Sequence, residues 1–167
     1  GLRQRMRKPP YPSEFCRPKF YLPFLTTDRA VWPSNDAVSL ALVSRWQDIR
    51  AEFQQIIART ALADVNTKGL TTQGTWKKVP LWSHGHPHED NLSRCPTTAS
   101  ILQELPLCRA LGMAYFSQLD GGTRVRPHYG PTNARLRYHL GLVIPDSEHI
   151  YLALGDGMYR WSEGRTL

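Results

Sequence analysis

No apolar run in the 167-residue chain approaches the ~18 residues that a membrane-spanning helix needs. Behind the positive charges of "GLRQRMRKPP" there is no hydrophobic stretch either, so the N-terminus is not a complete signal peptide. Cysteine is scarce. Cys16, Cys95 and Cys108 are too few to build a disulfide scaffold, and one of them must stay unpaired; a Cys95–Cys108 bridge and buried free thiols are the two readings. No segment repeats and none is of low complexity. Acid is the minority charge, 14 residues against 21 Lys and Arg, for a net +7. That excess is local: residues 1–19 hold Arg3, Arg5, Arg7, Lys8, Arg17 and Lys19 against Glu14, a balance of +5. The rest of the chain is close to neutral and offers neither a phosphate-binding face nor an aromatic–basic alternation. The basicity belongs to a tail, and no nucleic-acid partner is expected; such a partner would show binding that falls steeply with salt and depends on residues 1–19.

What is present suits one domain with a real core. Residues 1–35 are rich in proline and aromatics ("KPPYPSEFCRPKFYLPFL") and read as an extended arm. "SNDAVSLALVSRWQDIRAEFQQIIART" predicts one long helix, with Ser34, Asn35 or Asp36 as N-cap and a core stripe of Leu42, Trp46, Ile49, Phe53 and Ile56. "TASILQEL" predicts a shorter helix, preceded by Pro96, capped by Thr97 or Thr98 and stopped by Pro106. From about residue 113 the period changes to two. "MAYFSQL" and "RLRYHLGLVI" alternate, and "HIYLAL-GDG-MYRW" predicts a hairpin; "EGRTL" reads as a turn and the start of another strand. Helices first and strands later suggest α+β, or a barrel flanked by helices.

Chemistry concentrates in residues 124–144, "RVRPHYGPTNARLRYHLGLVI". Read as a strand, residues 135–144 put Leu136, Tyr138, Leu140, Leu142 and Ile144 on a core face. Arg135, Arg137, His139, Gly141 and Val143 share the other face, whose guanidiniums and imidazole can hold a carboxylate or phosphate; the plainer reading is a solvated face. His128 stands beside the turn "YGPTN", where an imidazole can ligate a metal or simply be exposed. Ser117, on "AYFSQL" with Tyr115 and Leu119, is read as a core serine or as an hydroxyl pointing into the same interior. "WSHGHPHED" brings His84, His86, His88, Glu89 and Asp90 close in sequence, and a solvated loop is its plainer reading. His149 reads as an exposed loop histidine.

"MAYFSQLDGGTRVRPHYGPTNARLRYHLGLVIP" resembles the core of the aspartyl/asparaginyl β-hydroxylases and the related aspartate β-hydroxylase domain-containing proteins. "FYLPFL", "GTWKKVPLW" and the "WSEG" hairpin extend the resemblance over roughly residues 19–167. It implies an iron(II)- and 2-oxoglutarate-dependent dioxygenase with the double-stranded β-helix (jelly-roll) fold, mainly β with flanking helices. On this reading, residues 1–19 are a basic, Pro-rich arm and residues 20–167 a partial hydroxylase domain, incomplete at its C-terminus. Carried over by motif, His128 matches an iron ligand and catalytic residue. Trp76, Ser117, Arg137 and His139 match positions lining the 2-oxoglutarate pocket, with Tyr138 between the last two.

The sequence His128-Tyr129-Gly130 lacks the carboxylate that many relatives in the wider superfamily place two residues after the first histidine. That absence fits the subgroup and implies weaker iron binding. The family's distal iron histidine and the arginine after it would follow "WSEG", beyond Leu167, so this chain is expected not to turn over. The family reaction is oxidative decarboxylation of 2-oxoglutarate and insertion of one oxygen at the β-carbon of Asp or Asn in polypeptides, EGF-like domains among them. The family's vertebrate-type members are anchored single-pass membrane proteins with this domain in the endoplasmic reticulum lumen; the anchor itself is absent from this sequence. The second expectation is a non-catalytic binding module, a degenerate barrel holding a peptide or an acidic ligand.

Overall fold

The computed structural model describes residues 20–25, 29–59, 63–64, 69–105, 112–155 and 157–167. The basic arm, Cys16, Cys108 and Pro106 lie outside the described residues. Where one long helix was expected there are two, α1 (Ala37–Ser44) and α2 (Trp46–Arg59). Asp36 is the N-cap of α1: its carboxylate accepts from the Val38 and Ser39 amides at 2.9 and 3.1 Å and from Ser39 Oγ at 3.0 Å. Arg45 breaks the helix at φ −122°, ψ 19°, and its guanidinium turns onto Asp48 in the first turn of α2 at 2.7 Å.

The predicted stripe does its work in α2. Ile49, Phe53 and Ile56 are buried, while Leu42 packs against the same core from α1. Their partners are Val79 and Leu81 on β3 (Trp76–Ser83), Leu92 on α3 (Glu89–Leu92), Ile101 and Leu102 on α4 (Pro96–Glu104), and Phe116 on β5 (Met113–Leu119). The Phe53 and Phe116 rings meet at 5.4 Å and 52°.

Helix α4 is capped otherwise than predicted. Thr97 and Thr98 lie inside it, and the N-cap, Cys95, makes no side-chain cap bond. The cap is Glu52, reaching over from α2: its carboxylate accepts from the Thr97 amide at 2.7 Å, the Thr98 amide at 2.9 Å and Thr98 Oγ at 2.7 Å. A buried carboxylate is thereby satisfied by orphan helix donors and by the positive end of the helix dipole. The helix stops at Glu104 because Leu105, the residue before a proline, is extended. Cys95 is a free, buried thiol, pushed up to about 11 by burial and then by the Glu52 charge.

The described strands form three sheets in a mixed helix and strand chain. In the four-stranded one, β3 pairs with β1 (Ala63–Asp64), β4 (His86–Pro87) and β5. The others are β2 (Thr71–Gln73) with β6 (Arg124–Val125), and β7 (Tyr151–Leu154) with β8 (Gly157–Arg160), both antiparallel. The hairpin predicted around Gly-Asp-Gly is that last pair, in register from Tyr151↔Arg160 to Leu154↔Gly157. "WSHGHPHED" is not a loop throughout. Trp82 pairs with Pro87 and Ser83 with His86 across a turn of His84 and Gly85 at φ 50° and 87°.

One strand expectation fails. Residues 135–144 form no ladder, only isolated bridges of Leu140 to Thr166 and Gly141 to Glu163. Leu140 and Leu142 pack on the core as predicted, but Leu136 is 51% exposed and Tyr138 36%. The reason lies in the hydrogen bonds. His139 exchanges both backbone bonds with Leu167 at 2.9 Å, the Gly141 amide reaches Arg165 at 3.0 Å, and the Gly164 amide reaches the Gly141 carbonyl at 2.9 Å. The segment is clasped by a turn, which ends the alternation that a continuous partner strand would have supported. "EGRTL" supplies that clasp, a turn followed by an antiparallel bridge from Thr166 to Leu140.

Contacts group the chain into two units. One draws on Gly1–Thr26, Asp64–Trp76 and Leu119–Leu136; the other on Thr27–Ala63, Lys77–Gln118 and Arg137–Leu167. All the buried hydrophobic residues described belong to the second. The first is tied by polar bonds: Asn133 Nδ2 donates to the Leu22 and Leu25 carbonyls at 2.8 and 2.9 Å, and Asn133 Oδ1 accepts from the Leu22 amide at 2.9 Å. "FYLPFL" is thus stitched to "GPTN" by one amide side chain and by the backbone bond from the Phe20 amide to the Pro131 carbonyl at 3.0 Å. No helix of the described residues is long and apolar enough to cross a membrane.

Candidate functional site

The six residues singled out by motif divide between the units. Trp76 and His128 belong to the first, and Ser117, Arg137, Tyr138 and His139 to the second.

In the first unit, strand β6 leads into the histidine: the Arg126 amide is held by the Leu70 carbonyl at 2.8 Å, and His128 follows two residues on. His128 is exposed. Its Nδ1 lies 2.8 Å from the Arg126 carbonyl oxygen. A carbonyl only accepts, so Nδ1 carries a hydrogen, and in the neutral ring Nε2 is then the nitrogen with the lone pair. That is the tautomer a metal-ligating imidazole needs, with its outer nitrogen fixed by a backbone oxygen. Trp76, half-buried, opens β3. A shallow hollow beside His128 in the chain is lined by Tyr21, Tyr129, Gly130, Thr132 and Asn133.

In the second unit His139 has the opposite tautomer. Trp161 Nε1 lies 3.3 Å from His139 Nδ1, with the two rings within 10° of parallel. An indole N–H only donates, so His139 Nδ1 accepts and Nε2 bears the hydrogen. Burial, and then the positive charge of Arg137, push the imidazole down to about 4. At neutral pH it is an uncharged hydrogen-bond donor with an exposed guanidinium, Arg137, two residues before it in sequence. Such a pair can receive a carboxylate: one fixed positive charge and one directed N–H.

Tyr138 is engaged elsewhere. Burial and then the nearby charge of the Asp36 carboxylate at the α1 N-cap raise the Tyr138 pKa, while the bonds from Ser39 and Val38 lower that of Asp36. Ser117 corrects the core-serine expectation. It is exposed on β5, on the face it shares with Met113 and Leu119, whereas Phe116 on the opposite face is buried. The period-two reading was right, and the inward face was the other one.

The histidine-rich stretch does not gather. His88 Nε2 pairs with Ser83 Oγ at 2.9 Å, and among the described residues no three His, Cys, Asp or Glu side chains stand where they could hold one metal ion. His149 is exposed and bonded to Asp146 at 2.8 Å, as its loop reading implied. Sequence reasoning missed Trp161. Its signal was the "WSEG" stretch, noted as a hairpin but not as a source of a side chain for the site.

The sequence profile of the Aspartyl/Asparaginyl beta-hydroxylase family matches residues 43–167. The human aspartyl/asparaginyl beta-hydroxylase is 34% identical over 131 residues, covering 76% of this chain and 17% of that protein. The ornithine lipid ester-linked acyl 2-hydroxylase of Rhizobium tropici is 32% identical over 126 residues, covering 71% of this chain and 44% of its own length. The mouse aspartate beta-hydroxylase domain-containing protein 2 is 31% identical over 175 residues, covering all of this chain and 50% of its own length. The chain therefore spans half or less of these curated relatives. A profile match across most of the sequence, with such relatives beside it, makes the chain a member of the aspartyl/asparaginyl β-hydroxylase family.

Proposed function

We propose that this chain carries the cosubstrate-binding part of an iron(II)- and 2-oxoglutarate-dependent hydroxylase, within a fold of the double-stranded β-helix type. The observation that carries the reading is the pair of partners at the Nδ1 atoms of the two motif histidines, a carbonyl acceptor at His128 and an indole donor at His139, which favour opposite tautomers. His128 would hold iron(II) through Nε2, for which an imidazole nitrogen is a suitable ligand. Arg137 and His139 Nε2–H would hold a carboxylate of 2-oxoglutarate, while Tyr138 is engaged with Asp36. When bound, iron(II) and 2-oxoglutarate supply the oxidising power for C–H hydroxylation. The chain's own share is to bind and orient: a neutral His139 donates without bringing a proton that could be lost to the ligand.

The relatives bear on the substrate. An Asp or Asn β-carbon and an acyl 2-carbon are both methylenes next to a carbonyl. The substrate class we infer is such a methylene, with an Asp or Asn side chain in a polypeptide as the leading case. The test is anaerobic binding of iron(II) and 2-oxoglutarate, followed by succinate release in air with an EGF-like peptide. The expected result is iron binding lost in His128→Ala and 2-oxoglutarate binding weakened about tenfold or more in Arg137→Ala, since a charge-assisted bond is worth about 1.5–3 kcal/mol. Absence of binding to either ligand refutes the reading. Binding without succinate is the outcome expected of this chain; binding with no succinate even from a chain that continues past Leu167 gives the non-catalytic module instead.

A further inference from the structure

We propose that Trp161 is the positioning residue for His139: its indole N–H engages Nδ1, and so holds the ring with Nε2–H as the donor offered to an anionic ligand. The identity of that ligand rests on the function proposed above; the orientation of the ring does not.

A neutral imidazole has two tautomers and can turn about χ2, so four hydrogen-bonding faces are open to it. A group that must meet an anion needs one of them chosen in advance, because an anion meeting a lone pair is repelled. Here the choice is made by a residue that can only donate. Trp161 Nε1 stands 3.3 Å from Nδ1, and the ring planes differ by 10° with centroids 5.8 Å apart. That separation is too wide for face-to-face overlap, and it suits a bond lying near the shared plane of the two rings.

Trp161 is itself held on both sides. It follows β8 directly. After it, the chain turns into the clasp on residues 139–144. Glu163 accepts the Ile144 amide at 3.0 Å and the Arg50 guanidinium at 3.1 Å. Gly164 sits at φ +68° where an added Cβ would strike the Trp46 indole at 2.8 Å, and a Cβ on Gly141 would strike the Ser162 carbonyl oxygen at 2.3 Å. Four backbone bonds between residues 139–141 and 164–167 complete the register. The same turn that fixes the His139 backbone therefore delivers the indole that fixes its ring.

Trp161→Phe is the informative change: it keeps an aromatic ring and removes the donor. In the unaltered chain, ¹⁵N spectra of the His139 ring are expected to show an unprotonated, hydrogen-bonded Nδ1 and a protonated Nε2. In Trp161→Phe the Nδ1 resonance should shift to that of a nitrogen without an indole partner. The 2-oxoglutarate dissociation constant should rise about tenfold, with the circular dichroism spectrum retained. A protonated Nδ1 in the unaltered chain overturns the proposal whether or not the variant folds, and so does an unmoved Nδ1 resonance in a folded variant. If the spectra behave as stated but neither protein binds 2-oxoglutarate, the ring assignment stands and the ligand reading falls.

Discussion

His139 joins two properties that usually compete, burial and polarity. An imidazole held at about 4 in the folded chain, against 6.5 free, refuses a proton that the unfolded chain accepts. The folded pKa is the depressed one, so the stabilisation is complete above pH 6.5 and is lost as the pH falls towards 4. At ~1.4 kcal/mol per unit the loss is about 2–3 kcal/mol once partial solvation is allowed for. Urea unfolding at pH 7 and pH 4.5 should show this, and His139→Asn, whose carbonyl can still accept from Trp161, should lack that share of the decline. An equal decline in the variant would remove His139 as its cause. Little of this was legible beforehand. The sequence placed His139 next to Arg137 on an alternating face, but which ring nitrogen carries hydrogen depends on Trp161, a partner 22 positions away. Periodicity shows which way a side chain points and is silent on what meets it there.

Among the elements, helices were read well and their ends less so. The Ile49–Phe53–Ile56 stripe was plain because burial demands a helical period. The cap of α4 was invisible because Glu52 lies 45 positions from Thr97. Glu52→Ala strands two backbone donors and one hydroxyl at a buried helix start, and is expected to cost about 2–4 kcal/mol, read as a lower denaturation midpoint at constant slope. Glu52→Gln, which keeps one acceptor, should cost about half as much. The segment of residues 135–144 was misread as a strand because an alternating pattern is also satisfied by a turn clasp in which only Leu140 and Leu142 reach the core. Gly141→Ala tests the clasp: the new methyl must displace the Ser162 carbonyl, at a cost of about 1–3 kcal/mol. The loss of hydrogen-exchange protection should centre on the His139 and Gly141 amides. If protection there is unchanged, the close approach is not what holds the segment.

For the chain as a whole, the two units differ in what secures them. The second has the buried apolar core, and the first relies on the Asn133 amide and the short β2–β6 pair. Local opening is easiest where few apolar groups are buried. Amides of Phe20, Leu22 and Arg126 should therefore exchange at lower free energy than those of α2 and β3, measured by native-state exchange in rising denaturant. Equal protection in both sets would contradict this division. Family membership was legible in the "PHYGPTNARLRYHLGLVIP" stretch because so long and unusual a run of glycine, proline and charge resembles the family's core motif. The division of the six motif residues between two units was not, since it depends on which sequence-distant segments meet.

The bonds between His139 and Leu167 also carry an order of events. During translation α2, β3 and α4 leave the ribosome with all their mutual partners already made, whereas His139 waits for 28 further residues before its backbone can pair. Until then the backbone on either side of the His139 ring is without the clasp that fixes it. The contacts among α2, β3 and α4 are thus available to the nascent chain before those that clasp residues 139–141.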